Sequence, residues 1–200
     1  MRLLLARHGE TGEQYAGRYI GTTDPPLSPR GRGEARRLAS LLPTGLSRCL
    51  VSPLGRARET AALALIGREV RIEVMEGLRE VDFGRWEGLC FAEILDRDPL
   101  LVNDWQRDPL AFTFPGGEHT LHFWQRVQEA MRTIVVQPEE EILVIAHGGV
   151  LRAMLCGLLA LPFDRYLSFA IKPAALTVLE VHGRQGVLQG LNLLASPEEG

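Results

Sequence analysis

Short apolar runs that each end abruptly in polar residues, separated by stretches of helical periodicity, restrict the fold of this chain more than any other feature. Leu3–Ala6, Cys49–Val51 and Ile142–Ala146 are apolar throughout. That is the pattern of strands covered on both faces, as in a parallel sheet between helices. Arg30–Leu42, Leu54–Ile66 and Val150–Leu161 carry apolar residues at helical spacing, and Val70–Val74 reads as a further strand. Ala175–Val181 and Val187–Leu193 read as a strand pair turning at His182-Gly183-Arg184. The alternation predicts an α/β fold: a three-layer α/β/α sandwich in which a mixed, mostly parallel sheet carries helices on both faces.

Between Trp86 and Val135 the rhythm becomes helical, with breaks at Pro99, Pro109 and Pro115-Gly116-Gly117 and a last helix from about Thr120 to Val135. This stretch, about 86–135, is expected to be a strand-free excursion that covers the site. With 200 residues, 46% of them hydrophobic, the chain can bury one sizeable core. A single domain over 1–196 is therefore expected, followed by a frayed tail at 197–200.

A formal net charge of −3 supplies no general attraction for nucleic acid or an anionic membrane, so an anionic ligand must be held by a local basic cluster. Three widely spaced cysteines, Cys49, Cys90 and Cys156, argue against a disulfide framework or zinc site and fit a cytoplasmic setting. The apolar start Leu3–Ala6 is shorter than the roughly 7–15 residues of a signal-peptide core, and Ala153–Phe163 is shorter than the roughly 20 needed to span a bilayer. No membrane association is expected.

In open α/β sheets ligands sit at the carboxyl ends of the strands. Three apolar runs end there in polar signatures: Arg7-His8-Gly9-Glu10-Thr11, Ser52-Pro53-Leu54-Gly55-Arg56, and His147-Gly148-Gly149. Each has an ordinary reading. A histidine at a strand end is often a capping residue, Arg56 resembles a helix-surface charge beside Arg58 and Glu59, and glycines after histidine make tight turns. Two His-Gly strand ends and a basic strand-to-helix corner on one sheet edge are harder to explain separately. Arginine forks, a helix N-terminus and glycines that admit backbone N–H groups together suit a phosphoryl group.

The run Leu3-Leu4-Leu5-Ala6-Arg7-His8-Gly9-Glu10-Thr11 resembles the signature of the histidine phosphatase superfamily, which includes the phosphoglycerate mutases. The resemblance continues through Gly21-Thr22-Thr23-Asp24-Pro25-Pro26-Leu27-Ser28 with Gly31, Ser52–Thr60, Leu78-Arg79-Glu80, Phe83–Gly88 and Ala146-His147-Gly148-Gly149. It implies a phosphoglycerate mutase-like fold, His8 as nucleophile, Glu80 as proton donor, and Arg7, Arg56 and His147, with Gly148, as the phosphate-binding shell. Spacing alone does not distinguish Glu80 from Glu87. Within the superfamily the chain is most similar to the branch of α-ribazole-5′-phosphate phosphatases, through Asn103-Asp104-Trp105 and Pro115-Gly116-Gly117-Glu118 ahead of Gln125-Arg126-Val127.

The implied activity is hydrolysis of a phosphomonoester through a phosphohistidine, with α-ribazole 5′-phosphate as the foremost substrate. Alternatives are a broad-specificity sugar-phosphate phosphatase, a phosphoglycerate mutase and a catalytically silent phosphate-binding scaffold. His147 is expected to be protonated or to donate a hydrogen bond. No metal or other cofactor is expected, since arginines supply the positive charge and no carboxylate cluster suggests magnesium. The expected partner is a small-molecule phosphate ester, with a homodimer as the candidate assembly. Family members commonly carry Asn where this chain has Gln14, so Gln14 is expected only as a residue supporting the phosphate ligands or touching substrate; Gly21 and Thr22 are further expected substrate contacts. Trp105, Phe112 and Phe114 are candidates to stack on a base or sugar, although core packing is the commoner fate of such residues. His119, His122 and His182 are expected at the surface.

Overall fold

The computed structural model describes residues 1–195; the expected tail at 197–200 lies outside the described residues. Six strands, β1 (Arg2–Arg7), β2 (Arg48–Val51), β3 (Arg71–Val74), β4 (Glu141–Ala146), β5 (Leu176–His182) and β6 (Gln185–Leu193), form one sheet in the order β3-β2-β4-β1-β5-β6. β3, β2, β4 and β1 pair in parallel, β5 runs antiparallel to β1, and β6 antiparallel to β5. Strand β5 alone therefore opposes the common direction, as expected of a mixed, mostly parallel sheet.

The alternation of side chains along each strand divides the core in two. Leu3, Leu5, Ile142 and Val144 pack on one face with α5 (Thr120–Val135) and α6 (Gly148–Leu158), through residues such as Phe123, Val127, Met154 and Leu155. Leu4, Ala6, Leu143 and Ile145 pack on the other with α1 (Pro29–Leu38) and α2 (Gly55–Ala64), through Leu38, Ala57 and Ala61. Because both faces are covered, the central strands need no polar side, which is why their sequences read as unbroken apolar runs.

Helix boundaries depart from the periodic reading in instructive ways. Ser28 caps α1 by accepting the Gly31 N–H at 3.0 Å, Pro29 occupies its first turn, and the chain passes into a tighter turn over Ala39–Leu41 before Pro43. The last helix begins at Gly148, two residues before the first apolar position, so that His147 is its N-cap. The excursion contains α3 (Phe91–Arg97), α4 (Pro99–Arg107) and then α5, but 108–119 is turn and loop. It is also not wholly free of β pairing, since isolated bridges join Arg18 to Cys90 and Thr113 to His119.

The parallel register brings the chemistry together. Arg7 lies opposite Ala146, and Val51 opposite Ile145. The His8 N–H donates to the Ala146 carbonyl and the Ser52 N–H to the Ile145 carbonyl, both at 3.0 Å. Three strands thus deliver His8, Ser52 and His147 side by side at one edge.

Candidate active site

The imidazoles of His8 and His147 stand 5.1 Å apart between centroids, tilted by 56°. His8 Nδ1 lies 2.8 Å from the Gly9 carbonyl, which fixes the hydrogen on Nδ1 and leaves Nε2 with a free lone pair. The Gly9 N–H in turn donates to Thr60 Oγ1 at 3.0 Å, whose hydroxyl donates to the Arg56 carbonyl at 2.7 Å. The orientation of His8 is therefore set by a side chain on α2.

His147 Nε2 lies 2.7 Å from Ser52 Oγ, which also accepts the Leu54 N–H at 3.3 Å. Ser52 can give its hydroxyl hydrogen to Nε2, the arrangement that places the His147 proton on Nδ1. Burial first, then the Arg7 and Arg56 cations, hold His8 well below the ordinary histidine range. His147 is lowered likewise, by burial and then by His8, Arg56 and Arg7. Both shifts favour the neutral ring, so of the two expectations for His147, protonated or donating, the donating one is the better fit.

Arg7, at the end of β1, donates through Nη1 to the Ile171 carbonyl at 2.9 Å. Arg56, 1% exposed at the second position of α2, is gripped by the loop 20–24 that precedes α1. Its Nη1 donates to the Thr23 carbonyl at 2.7 Å and to Asp24 Oδ1 at 3.2 Å, and its Nη2 to the Gly21 carbonyl at 2.8 Å. Asp24 also accepts the Gly55 and Arg56 N–H groups and so caps α2. Arg7 Nε, Arg56 Nε and His147 Nδ1 are buried without a hydrogen-bond partner among the described residues. Orphaned buried donors are costly, and three of them around one neutral imidazole define a cradle for an anion with several oxygens.

Glu80, 7% exposed, accepts the Gly149 N–H through Oε2 at 2.9 Å and the Val81 N–H through Oε1 at 3.2 Å. Its charge acts on both Arg7 and Arg56. A Cβ at Gly149 would fall 2.4 Å from Glu80 Oε1 and 2.7 Å from the Tyr166 hydroxyl, so only glycine admits that carboxylate. Glu87 has a different place: it accepts backbone N–H groups of the loop around Gly21.

A cleft of about 1160 Å³ opens from this floor. Arg7, His8, Glu80, Gly148 and Arg152 lie at its base, and Tyr19, Phe83, Trp105, Phe114, Phe163 and Tyr166 on its walls. Phe112 instead stacks on buried Trp86 at 5.4 Å and is core. Gln14, Gly21 and Thr22 do not line the cleft. Gln14 is exposed and its amide folds over Gly12, while the N–H groups of Gly21 and Thr22 point to Glu87. These three expected contacts therefore lie outside the cleft wall, as do the buried side chains of Arg56 and His147. His119 caps α5 by accepting the Leu121 N–H at 3.1 Å, and His182 is exposed beside Glu180.

Sequence reasoning gave no role to Ser52, Thr60 or Asp24, although all three fall inside the quoted motifs. Arg152 had a signal, being one helical turn beyond Gly148 and hence on the same face. Tyr166 had none. Among the described residues, no three His, Cys, Asp or Glu side chains cluster as a metal-ligand set, and no helix is long and apolar enough to cross a membrane.

An α/β sheet with paired neutral histidines and arginines at its carboxyl edge, opening into a lined cleft, defines a class of phosphate-ester enzymes. Residues 3–194 match the model of the histidine phosphatase superfamily (branch 1), and the chain belongs to that family. It is a phosphatase. It is similar to the adenosylcobalamin/α-ribazole phosphatase of Escherichia coli K12, 32% identical over 96% of each chain. It is also similar to phosphoserine phosphatase 1 of Hydrogenobacter thermophilus, 29% identical over 96% of this chain and 92% of that one. The crystal structure of a putative α-ribazole-5′-P phosphatase from E. coli superposes with a TM-score of 0.88 at 31% identity, covering 100% and 99% of the two chains.

Proposed function

We propose that the chain hydrolyses a phosphomonoester with a bulky, partly apolar alcohol portion through a phosphohistidine on His8, and that α-ribazole 5′-phosphate is its foremost candidate substrate. The observation that carries the reading is the set of three orphaned donors, on Arg7, Arg56 and His147, around an imidazole held neutral with Nε2 free.

In the first step Nε2 of His8 attacks phosphorus in line as the ester P–O bond breaks. The Gly9 carbonyl takes up the growing positive charge on the ring through Nδ1–H. Arg7 Nε–H, Arg56 Nε–H and His147 Nδ1–H, with the N-terminus of α6 at Gly148, hold the phosphoryl oxygens and their transition-state charge. Glu80 acts as the general acid and gives a proton to the leaving alkoxide. In the second step the carboxylate takes a proton from water, the water oxygen bonds to phosphorus, and the P–N bond breaks to free His8 and phosphate.

The size and lining of the cleft favour a large alcohol over phosphoserine. Its volume of about 1160 Å³ lies above the usual range of ligand pockets, which run to about 1,000 Å³. Its aromatic walls offer faces on which a ring system can stack. The test is phosphate release from α-ribazole 5′-phosphate, phosphoserine, 3-phosphoglycerate and sugar phosphates, compared by kcat/KM. The ribazole ester is expected to lead by at least about tenfold, which is roughly 1.4 kcal/mol of differential transition-state binding. A leading phosphoserine would contradict the assigned substrate, and turnover of 3-phosphoglycerate to its isomer without phosphate release would make the enzyme a mutase.

A further inference from the structure

We propose that Glu87 is a positioning residue that sets the phosphate-binding Arg56 through the peptide groups of the loop 20–24. The proposal rests on the reading of Arg56 as a phosphate ligand.

The Glu87 carboxylate accepts four backbone N–H donors: Gly21 at 3.0 and 3.1 Å, Thr22 at 2.9 Å, Thr23 at 3.1 Å and Phe83 at 3.2 Å. The same loop presents the carbonyls of Gly21 and Thr23 to the Arg56 guanidinium at 2.8 and 2.7 Å. Across a planar trans peptide the N–H and C=O point in opposite directions. The Gly21–Thr22 peptide donates to Glu87 on one edge and accepts from Arg56 on the other, so turning its N–H toward the carboxylate turns its carbonyl toward the guanidinium. Dipoles aligned between an anion and a cation reinforce one another.

The contact is also tight. A Cβ at Gly21 would stand 1.9 Å from the Val81 carbonyl oxygen and 2.4 Å from Glu87 Oε1, so glycine alone lets the loop approach. Since Phe83 follows Glu80 by three residues, the carboxylate braces the segment that carries the acid against the loop that holds the cation. This gives Glu87 a task distinct from that of Glu80, which sequence spacing could not separate.

The experiment measures binding of inorganic orthophosphate by titration calorimetry, with thermal melting as the control for folding. Glu87→Gln places an N–H2 group where an acceptor was. The folded variant is expected to bind orthophosphate about tenfold or more weakly, with kcat/KM falling in parallel, at temperatures well below its Tm. Combined with Arg56→Ala, Glu87→Gln should cost little further affinity, because the group it positions has gone. Additive losses, or a folded Glu87→Gln protein with unchanged affinity, would overturn the proposal. If that variant does not fold, Glu87→Asp, which keeps the charge but withdraws it by a methylene, is held to the same criterion. Loss of folding in both would overturn it in favour of a purely structural role. Orthophosphate binding does not depend on covalent chemistry at His8, so additive losses alongside an intact phosphohistidine would sink only this inference.

Discussion

At the scale of single residues, the proposed chemistry depends on keeping two imidazoles neutral. His8 and His147 are held below the usual histidine range, chiefly by burial and then by neighbouring cations. In the unfolded chain they titrate near about 6.5. As pH falls through that value the unfolded chain takes up protons that the folded one refuses, so stability falls with pH, by up to about 1.4 kcal/mol per pH unit for each histidine. Urea denaturation at pH 7.5, 6.5 and 5.5 should show a declining midpoint, and a midpoint that rises on acidification would contradict the assignment. Catalysis should persist below pH 6.5, since His8 remains unprotonated there. For Glu80, substitution by Gln should slow esters of poorly acidic alcohols by about 10²–10⁴, the usual worth of general acid catalysis, and aryl phosphates much less. Equal losses on both would remove Glu80 from the proton-donor role. The sequence made His8, Arg7 and His147 legible because each directly ends an apolar strand. Glu80 follows no such strand, and only family likeness selected it.

At the scale of elements, the start of α6 matters most. Apolar periodicity places its beginning at Val150, because Gly148 and Gly149 contribute nothing to a pattern of hydrophobic side chains. In the structure those glycines are its first turn, with one lining the cleft and the other donating to Glu80. Gly149→Ala should therefore displace the acid while sparing the fold, with alanine's better helix propensity offsetting some of the strain. The expected result is a kcat at least about tenfold lower, with orthophosphate binding nearly unchanged. A fully active variant would show that Glu80 need not occupy its observed place. The loop 108–119 and the turn carrying Tyr166 were not legible, since their conformations follow from tertiary contacts such as the Thr113–His119 bridge and the Phe163–Tyr166 stack.

At the scale of the whole molecule, topology does what local sequence cannot. His8 and His147 are 139 positions apart, yet adjacent parallel strands in a fixed register bring their rings to 5.1 Å. That convergence was foreseeable from the apolar runs and the strand-end rule, as was the two-faced sheet. What was not foreseeable is the bracing around it: Thr60 on Gly9, Ser52 on His147 and the loop 20–24 on Arg56 are pairings across 51, 95 and about 35 positions that no local pattern encodes. The central claim is that this convergence makes His8 a nucleophile toward phosphorus. It is tested most directly by quenching the enzyme during turnover of a ³²P-labelled phosphomonoester and locating the label by peptide mapping. The account predicts acid-labile, base-stable phosphate on His8 in the native protein and none in His8→Ala, which should also be inactive; turnover without label on His8, or retained turnover in His8→Ala, would contradict it.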